Sequence, residues 1–232
     1  MKSAASMPRV VRWAGAVAAL VVLCGWSRPL PHFHAPRSVR VPILMYHRVG
    51  ALPIRAPAIT KALTVPSRTF AAQMRWLHAS GFHAITQGQL LGASLLGLPL
   101  PRRPILITFD DGYRDVLWNA APLLHRLRMP ATMYVITDRV DGNDPSFVTW
   151  SELRRLERLG FDIGSHTVHH VDLTRDSPEA AAAELVVSKR TLEQRLGRAV
   201  PWFAYPLGRV DRRKRPESPA KLELPVTKEL LI

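Results

Sequence analysis

Residues 105–113 read Ile-Leu-Ile-Thr-Phe-Asp-Asp-Gly-Tyr, a short apolar run that ends directly in two adjacent carboxylates. An apolar run of this length, without polar alternation, is typical of a strand buried on both faces of a parallel sheet. Gly112 allows the chain to turn after the strand, so that Asp110 and Asp111 can face one pocket. An ordinary turn or helix cap is the simpler interpretation of Asp-Gly, and this stretch alone does not decide between the two.

Similar apolar runs alternate with helical patterns along the rest of the chain. Strands are predicted at 41–46, 82–85, 105–109, 131–136, 161–164 and 200–205, and helices at 67–80, 117–127, 150–159 and 178–196. Capping residues delimit the last two helices: Thr149 with Glu152, Ser177 with Pro178, and glycines 160 and 197. This alternation predicts an α/β fold, an open parallel sheet or a barrel, with ligands bound at the carboxyl ends of the strands.

A second strand exit lies at residues 161–170, which read Phe-Asp-Ile-Gly-Ser-His-Thr-Val-His-His. His166 and His170 are four residues apart, so on a helical turn both imidazoles would share one face and could bind one metal, with His169 pointing elsewhere. Two histidines and one carboxylate with open positions form the ligand set of hydrolytic metal sites and of non-haem iron oxygenases. Taken alone, the histidine pair is equally compatible with a solvated polar loop.

Composition and charge exclude several kinds of metal site and binding partner. One cysteine in 232 residues excludes a disulfide framework and a cysteine-rich zinc module, so histidine and carboxylate must hold any metal. The net charge is +14, but residues 1–103 contain 13 Lys and Arg and no acid, whereas the later residues contain 19 basic and 18 acidic groups. Because the early basic residues are scattered singly among apolar ones, they form no phosphate-binding stripe, and no nucleic-acid partner is expected.

Residues 1–27 have the pattern of an export signal or an N-terminal membrane anchor. Lys2, Arg9 and Arg12 precede the uncharged stretch 13–26, as in a signal peptide. Fourteen residues are fewer than the roughly 20 that span a membrane, so both cleavage and retention as an anchor stay open. Residues 28–40 are interpreted as a proline-rich linker, and the protein is expected to be exported to the periplasm or cell envelope, with anchoring to the inner membrane as one option.

Together the two strand exits resemble the polysaccharide deacetylases, the NodB-like domain of family 4 carbohydrate esterases. Residues 108–112 (Thr-Phe-Asp-Asp-Gly) resemble the first signature of that family, and residues 166–170 (His-Thr-Val-His-His) resemble the second. Residues 203–208 (Phe-Ala-Tyr-Pro-Leu-Gly) agree in part with its groove wall, and residues 43–49 (Ile-Leu-Met-Tyr-His-Arg-Val) resemble the subgroup acting on poly-N-acetylglucosamine. The similarity covers about 41–209 and implies a distorted (β/α) barrel of about seven strands.

The resemblance implies a metal-dependent hydrolytic site. It assigns Asp111, His166 and His170 as ligands of a divalent metal, with zinc favoured and cobalt, nickel or iron also suited to two imidazoles and a carboxylate. It assigns Asp110 as the general base, because a carboxylate that does not bind the metal can take the proton of the attacking water.

The segment 203–208 and the opening strand at 43–49 contain candidate residues for binding the substrate. The family places an oxyanion-stabilising backbone N–H at the residue after the proline, here Leu207. Tyr205, Pro206 and His47 are candidate substrate contacts. The sequence departs from the family at Ala204, where an arginine usually holds the base, and at Leu207, where an aromatic groove residue is usual.

The last residues also depart from the family pattern. Members of the family continue with one or two more βα units and a histidine that serves as general acid, whereas no histidine follows His170 in this sequence. Residues 41–208 are therefore expected to form a partial deacetylase domain, with the barrel incomplete at its C-terminal end. Residues 209–232 are interpreted as an atypical basic tail, which arises from truncation or a frame change or is a genuine tail.

The resemblance, with the export pattern, implies an exported enzyme that uses a metal to remove acetyl groups hydrolytically from N-acetylglucosamine-containing polysaccharide. Peptidoglycan, poly-N-acetylglucosamine, chitin oligomers and acetyl-xylan all stay open as substrates. One alternative is a catalytically impaired, carbohydrate-binding remnant of such an enzyme. The other is a basic, membrane-tethered nucleic-acid-binding protein.

Overall fold

The computed structural model describes residues 39–51, 55–142 and 144–209. In this part of the chain the strands are β1 (Ile43–Tyr46), β2 (Arg48–Val49), β3 (Thr64–Val65), β4 (His83–Ala84), β5 (Pro104–Phe109), β6 (Ala131–Val135) and β7 (Phe161–Ser165). The α-helices are α1 (Ala58–Leu63), α2 (Ser67–Ala79), α3 (Gln87–Leu96), α4 (Asp115–Asn119), α5 (Ala121–Arg126), α6 (Trp150–Arg158) and α7 (Pro178–Leu196). Two 3₁₀ turns are formed by Thr137–Arg139 and Pro206–Gly208.

Five of these strands form one parallel sheet. β1, β5, β6 and β7 are neighbours in that order, and β4 pairs with the beginning of β5. Phe109 at the end of β5 is in register with Tyr46 of β1 and with Met133 of β6, while Val135 is in register with Ser165 of β7. Because the strands run in the same direction, the residues that follow β5 and β7 emerge at the same edge of the sheet.

The two faces of the sheet pack into separate cores. Ile105, Ile107 and Phe109 alternate along β5 and belong to a large cluster that includes buried residues of α2, α4, α5, α6 and α7. The intervening Leu106 belongs to a smaller cluster with Leu90 of α3. Since successive side chains of a strand point to opposite faces, α3 covers the face of the sheet that the other helices leave open.

The helix ends follow the capping chemistry that the sequence predicts. Thr149 and Glu152 form the expected capping box at the start of α6. The Ser177 side chain accepts a backbone N–H in the first turn of α7, and Gly197 ends that helix with a left-handed φ of 71°. These local signals therefore fix the bounds of α6 and α7 to within one residue of the prediction.

The predicted strand at 200–205 is wrong as a regular strand. Only Phe203 forms a parallel bridge, to Ser165 at the end of β7, so this segment adds a short contact rather than a sixth strand to the sheet. Pro201 and Pro206 lack the N–H donors that a longer ladder requires. The α/β class and the parallel sheet are confirmed, but the described strands do not close into a seven-stranded barrel.

The helix predictions need two corrections. The segment predicted as one helix at 117–127 is divided into α4 and α5, because Pro122 cannot continue a helix and instead lies in the first turn of α5. Helices α1 and α3 were not predicted, although Thr86 and Gln89 form a capping box at the start of α3.

The predicted export segment 1–27 and most of the linker 28–40 lie outside the described residues, as does the predicted tail beyond Arg209. Within the part of the chain that the structure describes, no helix has both the length and the apolar character needed to cross a membrane.

Gly164 of β7 lies where the chain has no room for a side chain. A β-carbon there would come within 2.6 Å of Tyr134 Cδ1 and within 3.0 Å of the Trp202 carbonyl oxygen. We expect Gly164→Ala to lower the free energy of unfolding by about 1–3 kcal/mol, the usual cost of overpacking a well-packed core. Urea denaturation measures this change.

Gly88 provides the matched control, because it is exposed in α3 and a β-carbon there meets nothing closer than 3.7 Å. Gly88→Ala is expected to leave the protein as stable as before or to stabilise it by up to about 1 kcal/mol, since alanine favours the helix. Equal stability of the two variants would contradict the packing described for Gly164.

Candidate metal centre

The strand exit after β5 places the two adjacent aspartates by a left-handed turn. Asp110 is 1% exposed and donates its backbone N–H to the Tyr46 carbonyl at 2.9 Å, so it continues the pairing with β1. Asp111 has φ 73° and Gly112 has φ 86°. The predicted sharp turn is therefore present, and both Asp111 and Gly112 adopt the left-handed conformation in it.

The strand exit after β7 carries both histidines on an irregular loop. The predicted helical turn at 166–170 is wrong, because Thr167 has φ 69° and His170 has φ 61°, values far from those of a helix. The His170 N–H donates to Thr167 Oγ1 at 2.9 Å, which stabilises this conformation. The two imidazoles nevertheless come together, with ring centroids 4.8 Å apart.

The two exits meet at one carboxylate oxygen. Asp111 Oδ1 lies 3.5 Å from His166 Nε2 and 3.4 Å from His170 Nε2. One ligand atom from each of the three residues lies within 4.8 Å of the others. Asp111 and His166 are buried, while His170 is partly exposed. The structure thus brings together the three residues that the sequence predicts as metal ligands.

A hydrogen bond on the far side of His166 fixes the protonation of its ring. His166 Nδ1 lies 2.9 Å from the Ala204 carbonyl oxygen, which can only accept a hydrogen bond, so Nδ1 carries the proton. A neutral imidazole of this tautomer directs the lone pair of Nε2 at Asp111. Two electron-rich atoms at this separation are stabilised by a cation between them, or by a proton on the imidazole or on the carboxyl group.

The geometry fits a bound divalent cation. Charging both rings would place two positive charges side by side, and His166 is 1% exposed, where an imidazolium is poorly solvated. Two ligand atoms at the usual zinc distance, in tetrahedral geometry, are about 3.3–3.4 Å apart, close to the measured separations from Asp111. The donor set of two imidazoles and a carboxylate therefore fits a divalent transition metal.

The segment that follows Ala204 forms the neighbouring wall. Pro206 is buried, and the Tyr205 ring packs edge-on against Phe203 with centroids 4.9 Å apart. Leu207 has φ 58°, and its side chain is 57% exposed. His47 follows β1 and is partly buried, and it does not belong to the cluster of three ligands.

Tyr113 is a residue near the site that sequence reasoning did not single out. Burial raises the pKa of its phenol, and the carboxylate of Asp111 raises it further. Its ring stacks on Phe147 with centroids 4.9 Å apart, and the Arg48 guanidinium lies 4.7 Å from its centroid on one face. An aromatic residue directly after Asp-Asp-Gly was the available signal for Tyr113.

His169 lies outside the cluster of three ligands and pairs instead with Glu184. Its Nδ1 lies 2.6 Å from Glu184 Oε1, and this hydrogen bond raises the pKa of His169. Burial alone would raise the pKa of Glu184, but its hydrogen bonds from His169 and Val168 lower it. No pattern in the sequence pointed to Glu184, which lies 15 residues after His169.

Comparison with known proteins adds to this geometry. The profile of the family described as "Polysaccharide deacetylase" matches residues 97–222. YxkH of Bacillus subtilis, whose name assigns it to the polysaccharide deacetylases, is 30% identical over 177 residues, which cover 75% of this chain and 58% of that protein. The poly-β-1,6-N-acetyl-D-glucosamine N-deacetylase of Staphylococcus aureus is 25% identical over 168 residues, which cover 67% of this chain and 58% of that protein.

A solved structure has the same fold. The deacetylase PplD of Streptococcus pyogenes, solved in complex with acetate, superposes with a TM-score of 0.69 and 26% sequence identity, over 77% of this chain and 78% of that chain. By contrast, this chain spans 58% of the length of the two curated relatives. The family profile matches more than half of the chain, and both strand exits lie inside the match; the chain belongs to the polysaccharide deacetylase family.

Proposed function

We propose that this protein is a metal-dependent hydrolase that removes acetyl groups from N-acetylglucosamine-containing polysaccharide. The observation that carries the proposal is the convergence of Asp111, His166 and His170, with the His166 tautomer fixed by the Ala204 carbonyl. Family membership supports deacetylation as the reaction. The name of the relative from Staphylococcus aureus supports a poly-β-1,6-linked N-acetylglucosamine polymer as the substrate class.

In this proposal Asp111, His166 and His170 hold a divalent cation, for which zinc is the first candidate. Such a cation supplies a Lewis acid that polarises the acetamide carbonyl and acidifies the attacking water. Cobalt, nickel and iron suit the same ligands, so the choice of zinc rests on its common use in hydrolytic sites with two histidines and a carboxylate.

Asp110 is the proposed general base. It is the neighbour of a proposed ligand, and its buried carboxylate belongs to the same strand exit. In the reaction it accepts a proton from the attacking water as the tetrahedral centre forms. Its backbone N–H is already bonded to β1, which fixes its position relative to the sheet.

The turn at Leu207 is the proposed oxyanion site. A backbone N–H stabilises the developing negative charge on the acetamide oxygen without requiring a particular side chain, so leucine in place of an aromatic residue is compatible with this role. We propose that Tyr205, Pro206 and His47 contact the sugar polymer. An enzyme that acts on such a polymer meets it outside the cytoplasm, which agrees with the export signal predicted for 1–27.

The proposed metal ligands predict the effect of removing one of them. We expect the 232-residue protein to bind about one Zn²⁺ or Co²⁺ ion. His166→Ala should weaken that binding more than about 100-fold, because loss of a ligand costs more affinity than loss of a residue that only hydrogen-bonds to a ligand. Isothermal titration calorimetry with Zn²⁺ measures both values.

His78→Ala is the matched control. It removes the same imidazole from an exposed position in the last turn of α2, outside the cluster of three ligands. It is expected to bind metal like the unaltered protein. Unchanged metal affinity in both His166→Ala and His170→Ala would remove the metal site from the proposal.

The proposed base predicts a separation between binding and chemistry. Asp110→Asn preserves the size of the side chain but cannot accept a proton, so we expect metal affinity to be retained while hydrolysis falls by about 10²–10⁴-fold. Acetate release from poly-β-1,6-N-acetylglucosamine oligomers, with Zn²⁺ or Co²⁺ supplied, measures the rate. Loss of metal by folded Asp110→Asn would mean that the roles of the two aspartates are reversed.

A further inference from the structure

Helix α7 holds the loop that carries both histidines. Glu184 and Ser188 are four residues apart in α7 and therefore lie on one face of the helix. Ser188 is hydrogen-bonded to Ser165, the residue before His166, and both serines are fully buried. One residue of this helix face thus fixes the start of the loop.

Glu184 fixes the other half of the loop through three hydrogen bonds. Its Oε2 accepts the backbone N–H of Val168 at 2.9 Å and that of His169 at 3.0 Å, and its Oε1 pairs with the His169 ring. The side chain is 13% exposed. Hydrogen bonds of this kind, with an ionised acceptor, are roughly twice as strong as neutral ones. The carboxylate therefore immobilises the two peptide N–H groups immediately before His170.

The loop requires such support because its backbone is strained. Thr167 and His170 both have positive φ, which costs a residue with a β-carbon roughly 1–2 kcal/mol. Glu184 binds the backbone between these two residues. The carbonyls of Thr167 and Val168 accept N–H groups of the turn after β6, so that the loop is held from two sides. If Glu184 is removed, rotation of the peptide groups can relieve the strain, and that rotation reorients His170.

We infer that Glu184 is a positioning residue of the metal centre, which aims the His170 imidazole at Asp111 by fixing the backbone before it. The inference rests on the proposed function, because it takes Asp111, His166 and His170 as metal ligands. Protein sites hold metal–ligand distances to within about 0.2 Å, so a small displacement of one imidazole weakens binding. Glu184 itself contacts the loop and not the metal.

The test compares Glu184→Ala and Glu184→Asp with Glu184→Gln in the full 232-residue chain. Alanine removes all three bonds, and aspartate keeps the charge but withdraws it by one methylene. Glutamine keeps a carbonyl oxygen that can accept both N–H groups. Glu179→Ala, at an exposed site in the first turn of the same helix, is the control. The dissociation constant for Co²⁺ and the visible absorption of bound Co²⁺ are measured for each, with the melting temperature of the metal-free protein.

We expect Glu184→Ala and Glu184→Asp to bind Co²⁺ at least about tenfold more weakly, the size of effect seen when a ligand loses its supporting partner. Their Co²⁺ spectra are expected to change, because the geometry at the ion changes. Glu184→Gln should recover most of the affinity, and Glu179→Ala should match the unaltered protein.

Folded Glu184→Ala and Glu184→Asp proteins with unaltered Co²⁺ affinity would overturn the inference, even if their melting temperatures fall, because the residue would then act on stability alone. If Glu184→Ala does not fold, Glu184→Asp against Glu184→Gln decides the question. Absence of Co²⁺ binding by the unaltered protein would instead overturn the proposed function, which separates the two failures.

Discussion

The site depends on the hydrogen bond from His166 Nδ1 to the Ala204 carbonyl. That bond sets which ring nitrogen carries a lone pair. The Ala204 carbonyl is placed beside the ring because residues 202–204 pair with the end of β7. The Ser165 N–H donates to the Trp202 carbonyl at 2.8 Å, and the Ala204 N–H donates to the Ser165 carbonyl at 3.0 Å. Because these contacts use only backbone atoms, any residue without a conflicting side chain could stand at position 204. Alanine in place of the family's usual arginine therefore leaves the orientation of His166 intact.

The sequence was sufficient to locate the two strand exits, because continuous apolar strands and capping residues are strong local signals. β5 and β7 lie within a residue of their predicted bounds, and the three predicted ligands converge. The spacing of His166 and His170 predicted that the two imidazoles meet, but it predicted the wrong backbone conformation. A separation of four residues brings two side chains together on a helical turn and also in a loop with two left-handed residues. A positive φ is usually predicted from glycine, whereas threonine and histidine occupy positions 167 and 170, so the left-handed loop was not predicted.

The parts that were not predicted depend on contacts between distant segments. Glu184 meets the loop only because α7 packs across β7, and its role could not be read from a helix in which many positions are polar. Helix α3 was missed because its four leucines do not follow one helical stripe and because glycines 88 and 92 interrupt the pattern. Gln87 at its start donates to the Tyr134 hydroxyl at 2.8 Å, a contact between residues 47 positions apart. Pro201 in the last predicted strand and Pro206 directly after it lack the N–H donors for a longer ladder, so no regular strand forms despite the apolar composition.

The left-handed residues also bear on how this site can change by mutation. Of the seven described non-glycine residues with positive φ, four belong to the strand exits of the site: Asp111, Thr167, His170 and Leu207. Glycine at any of them would relieve strain in the folded chain, so selection for stability alone would tend to replace these side chains. Their presence together identifies a region where backbone strain lowers the folding stability. Substitutions that stabilise the protein elsewhere, in the large core or at helix ends, would therefore widen the range of changes that the site can accept.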